Sequence, residues 1–363
     1  MKQGMISLLT LLILPSSLYA ETKKQRHLLT PTSLFSTTKK NEANSFIPKH
    51  IELSGLGVLG EDDTFLYGVS DEEAAIYQID MSNGSYEKRW EVVKSDGTAL
   101  KKPDFEGIDV CSRNNETVFY IVDEKKHKLY IGHLKEGKVV LDKPIWINFS
   151  DADKGTNTGI EAIAMDCVNN LAYVSIETGQ DEDPPSENSV LRKHRPRLGI
   201  IDLNQDLRED EQRKTAALEE IELKTDTVDE TINWIADVNF QGKGLDQDIS
   251  DMDFYRGHLY LLRRNTREIV RMKKQKPGKI DKVWSYVAHA PIYQKKKGLA
   301  EAMVVNGQGS FILGYDSSDY SKHPLSTEVA ATYNLETGNP EIYQLIKDVY
   351  NQQGDLIIEF SAN

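Results

Sequence analysis

Residues 105–131 contain Phe105-Glu106-Gly107-Ile108, Phe119-Tyr120-Ile121-Val122 and Leu129-Tyr130-Ile131, in that order. They read as a first strand opening on an acidic residue, a tight turn, a second strand carrying an aromatic, and a third strand. The same grammar occurs upstream as Leu53-Ser54-Gly55-Leu56, Leu66-Tyr67-Gly68-Val69 and Ile76-Tyr77-Gln78-Ile79-Asp80. Downstream, a third copy begins Ile160-Glu161-Ala162-Ile163 and continues with Ala172-Tyr173-Val174-Ser175 and Leu198-Gly199-Ile200-Ile201-Asp202. A fourth runs through Ser250-Asp251-Met252, Leu259-Tyr260-Leu261-Leu262 and Ile269-Val270-Arg271-Met272, and a fifth through Ala300-Glu301-Ala302-Met303, Phe311-Ile312-Leu313-Gly314 and Ala331-Thr332-Tyr333.

With Ser54, Glu106, Glu161, Asp251 and Glu301 taken as equivalent, the spacings are 52, 55, 90 and 50 residues. Two polar insertions, 179–197 and 204–216, account for the long interval, and a hidden sixth unit inside it is the alternative. Each unit has room for a fourth strand, at 86–93, 145–149, 218–223 and 283–287. Sheets of about 50 residues that cannot bury both faces alone must stack in a ring. The fold class is therefore all-β, a single β-propeller of about five four-stranded blades over residues 51–363, with six blades as the alternative. Residues 208–220, rich in Glu, Lys, Arg and Ala, read as a short surface helix.

The N-terminus is not part of that pattern. Lys2, the apolar run 5–14 and a small residue at Ala20 read as a secretory signal peptide over residues 1–20. Its apolar core is too short to span a bilayer, and no later run is comparable, so the chain is expected to be exported and not membrane-spanning, in the periplasm or secreted. Residues 21–50 read as a leader or tether that could lend one strand to the fold. Removing Lys2 leaves 43 Lys+Arg against 57 Asp+Glu, a formal charge of −14. Such a surface repels nucleic acid and is compatible with cations.

Propeller geometry places charge at one end. The first strands open on Glu106, Glu161, Asp251 and Glu301, and the residues just past the second strands are Asp71, Glu124, Glu177, Arg264 and Asp316. First and second strands are antiparallel, so both rows face the same mouth of the channel. Crowded carboxylates raise one another's pKa unless something positive joins them. Two answers are open: a hard cation held by oxygens, calcium first, or neutralisation by Arg263 or Arg264. The loop 151–157 is oxygen-rich but matches an EF-hand poorly. Cys111 and Cys167 end neighbouring first strands away from the mouth, and a disulfide and two buried thiols are both compatible with that placement.

Ser54-Gly55-Leu56, Val69-Ser70-Asp71-Glu72, Asp104-Phe105-Glu106-Gly107-Ile108, Gly159-Ile160-Glu161-Ala162 and Ile249-Ser250-Asp251-Met252 resemble the SdiA-regulated family of exported five-bladed propellers, distant relatives of NHL repeats. The same motifs, with the insertion before Leu198, are similar to the esterase-like activity of phytase propellers. The first resemblance implies a calcium site at the mouth, with Glu106, Glu161, Asp251 and Glu301 in the acidic positions. The second implies phosphate or ester hydrolysis. No G-x-S-x-G, H-E-x-x-H, C-x-x-C or Walker pattern occurs, and His194, His258 and His323 fall in turns or loops. Two functions are left: a calcium-binding, monomeric module that takes a small molecule or protein at the mouth, through Asp71, Glu124, Glu177, Arg264 and Asp316, or a metal-dependent phosphoesterase at the same place.

Overall fold

A computed structural model describes residues 27–36, 38–40, 46–48, 51–147 except 52, 63, 83 and 84, then 159–176, 197–204, 208–210, 213–216, 219–221, 249–263, 268–273, 276–286, 300–315 and 356–361. Every regular element among them is a strand. Each repeat folds as an antiparallel meander because its apolar runs are separated by residues that accept tight turns. Asn114-Asn115, Glu136-Gly137 and Arg256-Gly257 all have positive φ at both positions, the geometry that matches a two-residue hairpin to the strand twist.

The first repeat pairs Leu53–Val58, Phe65–Ser70, Ala75–Asp80 and Ser85–Val93 in order. The second pairs Phe105–Arg113, Glu116–Asp123 and Lys128–Lys135, the last also flanked by Lys138–Leu141 and Ile145–Ile147. The third consists of Ile160–Asp166, Leu171–Ile176, Arg197–Asp202 and Glu219–Ile221. The fourth consists of Asp251–Tyr255, His258–Arg263, Glu268–Lys273 and Lys276–Tyr286.

The fifth repeat draws on both ends of the chain. Ala300–Val305, Phe311–Tyr315 and Leu356–Ser361 pair in order, and His27–Ser36 then lies antiparallel to Leu356–Ser361. The same N-terminal strand touches the fourth repeat, His27 to Leu29 running parallel to Trp284 to Tyr286. The segment 21–50 thus contributes a full outer strand.

The five first strands pack one on the next, first on second through fourth on fifth, and the fifth returns to the first. Among the described residues this is a closed, propeller-like all-β ring. Each seam is apolar. Leu53, Leu56 and Tyr77 meet Ala302, Val304 and Ile312 between fifth and first repeats, and Tyr67, Val69 and Trp90 meet Phe105, Phe119 and Tyr130 between first and second. Tyr120 and Val122 meet Ile163 and Met165 in the next seam, and Ala162 and Tyr173 meet Met252 and Leu261 in the one after. Trp284 and Tyr260 stack edgewise on Phe311 in the last. Cys111 and Cys167 form a disulfide across the seam of the second and third repeats, their Cα atoms 5.7 Å apart.

The sequence reading of 208–220 as a helix is corrected: Arg208–Asp210, Arg213–Ala216 and Glu219–Ile221 are strands. Lys214 to Ala216 run parallel to Ile145 to Ile147. An unpaired sheet edge offers a whole row of hydrogen bonds, and that long-range pairing overrides a few tenths of a kcal/mol per residue of helix propensity. The insertion 179–196, the loop 151–157 and, within the long interval that could hold a sixth unit, residues 222–248 lie outside the described residues.

Candidate functional site

Cross-strand pairing fixes which residues of the five repeats are equivalent. Tyr67, Tyr120, Tyr173, Tyr260 and Ile312 lie opposite Gly57, Asp109, Ala164, Asp253 and Val304. Counting back three residues gives Ser54, Glu106, Glu161, Ser250 and Glu301. In four repeats the residue of this row is a β-bulge: the register skips Ser54 between Leu53 and Gly55, Glu106 between Phe105 and Gly107, Glu161 between Ile160 and Ala162, and Glu301 between Ala300 and Ala302. A bulged residue has no partner in the ladder, so the strand can turn its side chain away from the pleat. Glu106 and Glu301, both bulged, feel each other's charge, and Glu161 holds the same bulged position in the third repeat.

In the fourth repeat this position falls to Ser250, just ahead of the strand, and its amide donates to the Leu262 carbonyl at 3.1 Å. Asp251 pairs in register with Leu262, so its equivalents are Gly55, Gly107, Ala162 and Ala302, and Ser250 takes the place of the glutamates. Matching repeats by chemical type across the 90-residue interval conceals this one-residue offset. Asp251 is fully buried, and its carboxylate accepts hydrogen bonds from the amides of Met252 at 2.8 Å, Met303 at 2.6 Å and Leu56 at 3.4 Å. It therefore bridges the fourth, fifth and first repeats one level below the mouth. The other members of its row are small because the inner strands touch there: a Cβ on Gly55 would lie 2.8 Å from the Gly107 Cα.

A second set of carboxylates lies deeper still. Asp109 accepts from the amides of Val110 and Met165, each at 2.6 Å, and Asp253 accepts from the amide of Val305 at 2.6 Å. Each carboxylate ties its own strand to the next repeat. Burial, with the facing charge of Asp253, pushes the Asp109 carboxyl well above the usual range, and burial pushes Asp253 up to about 6. Burial likewise raises Asp251 well above that range, although its three amides pull the other way.

At the mouth, Glu106 is the focus. Burial first, then the charges of Asp71, Glu124, Asp104 and Glu301, hold its carboxyl well above the ordinary carboxylate range. Asp71, Asp104 and Glu106 can each turn one oxygen so that all three lie within 4.8 Å of one another, a spacing a metal ion could bridge. The Asp71 amide donates to Ser54 Oγ at 3.2 Å, which anchors the first repeat's end of the cluster. The side chain of Glu124 lies where a Cβ on Gly159 would be. Glu161 is buried at its bulge and Glu301 is half-buried.

Of the sequence-derived residues, the structure brings Glu106, Asp71, Glu124 and Glu301 into one electrostatic group and takes Asp251 out of their level. Glu177, Arg264 and Asp316 lie outside the described residues. Arg263 pairs with Glu268 at 3.0 Å, both buried within the fourth repeat. Sequence reasoning missed Asp104 as a member of the cluster, although it stands directly before Phe105-Glu106. It also missed Asp109 and Asp253, whose signal is an Asp recurring inside otherwise apolar inner strands.

The chain is similar in shape to several solved enzymes, all at low identity. The glutaminyl cyclase of Myxococcus xanthus aligns over 80% of this chain and 93% of its own, with a TM-score of 0.46 and 9% identity. A hydrazine synthase of Kuenenia stuttgartiensis aligns over 78% and 94%, with a TM-score of 0.41 and 9% identity. A luciferin-regenerating enzyme aligns over 92% and 96%, with a TM-score of 0.39 and 9% identity. No curated protein matches in sequence. Residues 51–283, which hold the first four repeats, match the phytase-like family described as esterase-like activity of phytase, and the chain belongs to that family.

Proposed function

We propose that this protein is an exported, five-bladed, calcium-binding propeller that takes a ligand or partner at its acidic mouth. The observation that carries this reading is the setting of Glu106, which faces four other carboxylates in a half-buried position. Such a group is repulsive when empty and becomes favourable once a hard divalent ion replaces the missing positive charge. Glu106, Glu161 and Glu301 are the mouth ligands in this reading. Asp251, the fourth carboxylate of the expected set, acts as a buried prop beneath them. Export is supported by the disulfide, which belongs to an oxidising compartment. Among the described residues no helix is long and apolar enough to cross a membrane.

Metal bound only by the folded protein stabilises it by mass action. Chelator is therefore expected to lower the melting temperature, and Glu161→Gln to remove much of that response. A melting curve indifferent to chelator, with a Glu161→Gln variant at least as stable as the parent, would overturn the reading. Family membership favours a second reading, a metal-dependent phosphoesterase at the same mouth. Turnover of a phosphate monoester by the calcium-loaded protein, lost in Glu106→Gln, would decide for the enzyme.

A further inference from the structure

The seams of the ring are not alike at the mouth. Between the second and third repeats, Glu124 reaches over Gly159, the residue equivalent to Asp104, and its side chain fills the place a side chain at 159 would take. Between the first and second repeats the equivalent pair is Asp71 and Asp104. Here the shorter acid is on one side and a carboxylate stands where the other seam has only glycine. The consequence is a cluster of carboxylates, with one oxygen each of Asp71, Asp104 and the bulged Glu106 within 4.8 Å of one another.

Asp104 supplies a second, independent feature. It is only 4% exposed, and its Oδ2 is buried with no hydrogen-bond partner. A buried carboxylate oxygen without a donor is costly, and its presence in a folded protein calls for a partner that is not part of the chain. The other oxygen, Oδ1, lies 2.6 Å from Lys125 Nζ. The Lys125 side chain is 75% exposed and rests on the cluster from the solvent side. Its neighbour Lys126 is engaged elsewhere, with Asp123 and the carbonyl of Lys102, each at 2.7 Å.

We infer that Asp71, Asp104 and Glu106 form a divalent-cation site of their own in the seam of the first and second repeats, and that Lys125 is its resident counter-charge, displaced when the ion enters. The Lys125 ammonium reaches Oδ1 of Asp104 and leaves its Oδ2 without a donor, whereas a divalent ion would engage all three carboxylates and reach that Oδ2. Lys125 can leave because its own side chain is exposed to solvent and the entering ion takes over the buried Asp104 carboxylate that it would otherwise abandon. The site rests on the proposed acidic mouth and shares Glu106 with it, but draws its other two ligands, Asp71 and Asp104, from the seam.

Calorimetric titration of the whole protein with calcium tests both. Asp104→Asn is expected to weaken seam binding by more than about tenfold, because affinity in such sites follows ligand charge. Lys125→Met removes the competitor and is expected to tighten binding about two- to fivefold, since only the lysine side of the pair is exposed. Glu161→Gln should leave this Lys125-sensitive binding in place. Calcium affinity unchanged by both Asp104→Asn and Lys125→Met, but lost in Glu161→Gln, would overturn the seam site and leave the mouth reading standing. Binding that responds to the first two variants and ignores the third would support the seam site and overturn the mouth reading. Weaker binding in Lys125→Met would overturn the counter-charge role. Equal melting temperatures of the variants in chelator would show that folding is intact.

Discussion

Asp251 and Asp253 are two residues apart on one inner strand, and both accept amides of the fifth repeat. Asp251→Asn keeps the shape but turns an N–H donor toward amides that are themselves donors. A loss of about 1–3 kcal/mol in denaturant titration is expected from the unsatisfied groups. Asp253 provides a pH signature. Its folded pKa of about 6 lies above the ordinary Asp value of about 3.9. Between those limits folding takes up a proton, so stability contributed by the protonated form is full below pH ~4 and declines as pH rises through about 6. The slope is at most about 1.4 kcal/mol per pH unit. Thermal melts from pH 4 to 7 should show this decline, and Asp253→Asn should flatten it. An unchanged profile in that variant would assign the titration elsewhere, Asp109 first.

At the scale of elements, the bulge and the close approach of inner strands act together. Gly55 is the clearest case: an added Cβ would meet the Gly107 Cα at 2.8 Å and the Glu106 carbonyl at 2.9 Å, both backbone atoms that cannot swing aside. Gly55→Ala should therefore destabilise by about 1–3 kcal/mol, the range for overpacking a tight core, and disturb the Glu106 bulge at the same time. The melting temperature and calcium affinity should fall together. A variant as stable as the parent would mean the two strands can separate freely. Much of this level was legible in the residues. Strand grammar, the aromatic second strands and the acidic row at Glu106, Glu161 and Glu301 follow from alternation and spacing, which local sequence encodes directly. The offset at Asp251 was not, because a bulge is a matter of pairing, and pairing partners are set by tertiary contact. The hairpin at 208–216 was missed for the same reason: its strand character comes from the edge of Ile145–Ile147, whose residues pair with ones 69 positions on, Ile145 with Lys214.

For the whole molecule, the disulfide and the shared fifth repeat are the two long-range ties. Cys111 and Cys167 are separated by 56 residues, and the bridge removes loop entropy from the unfolded chain worth on the order of 4 kcal/mol. Replacing both by Ala should lower stability by about 2–4 kcal/mol, and unreduced, unfolded parent protein should titrate with no free thiol. Two reactive thiols in that assay would show that the bridge does not form. The ring itself was readable from five copies of one motif, whereas the strand that completes it was not assigned to a particular repeat. Its recruitment depends on where the two ends of the chain meet, which no repeat-by-repeat comparison contains.

His27–Ser36 is made long before Leu356–Ser361, yet the two are hydrogen-bonded neighbours. On the ribosome the earlier strand must wait until Leu356–Ser361 has been made before its partner exists. Stacking of the first four repeats can proceed meanwhile, but circular closure is postponed until Leu356–Ser361 has emerged. Unfinished chains would accordingly expose both open faces of the stack, and a protease able to read those faces would distinguish complete molecules from truncated ones by whether the circle has shut.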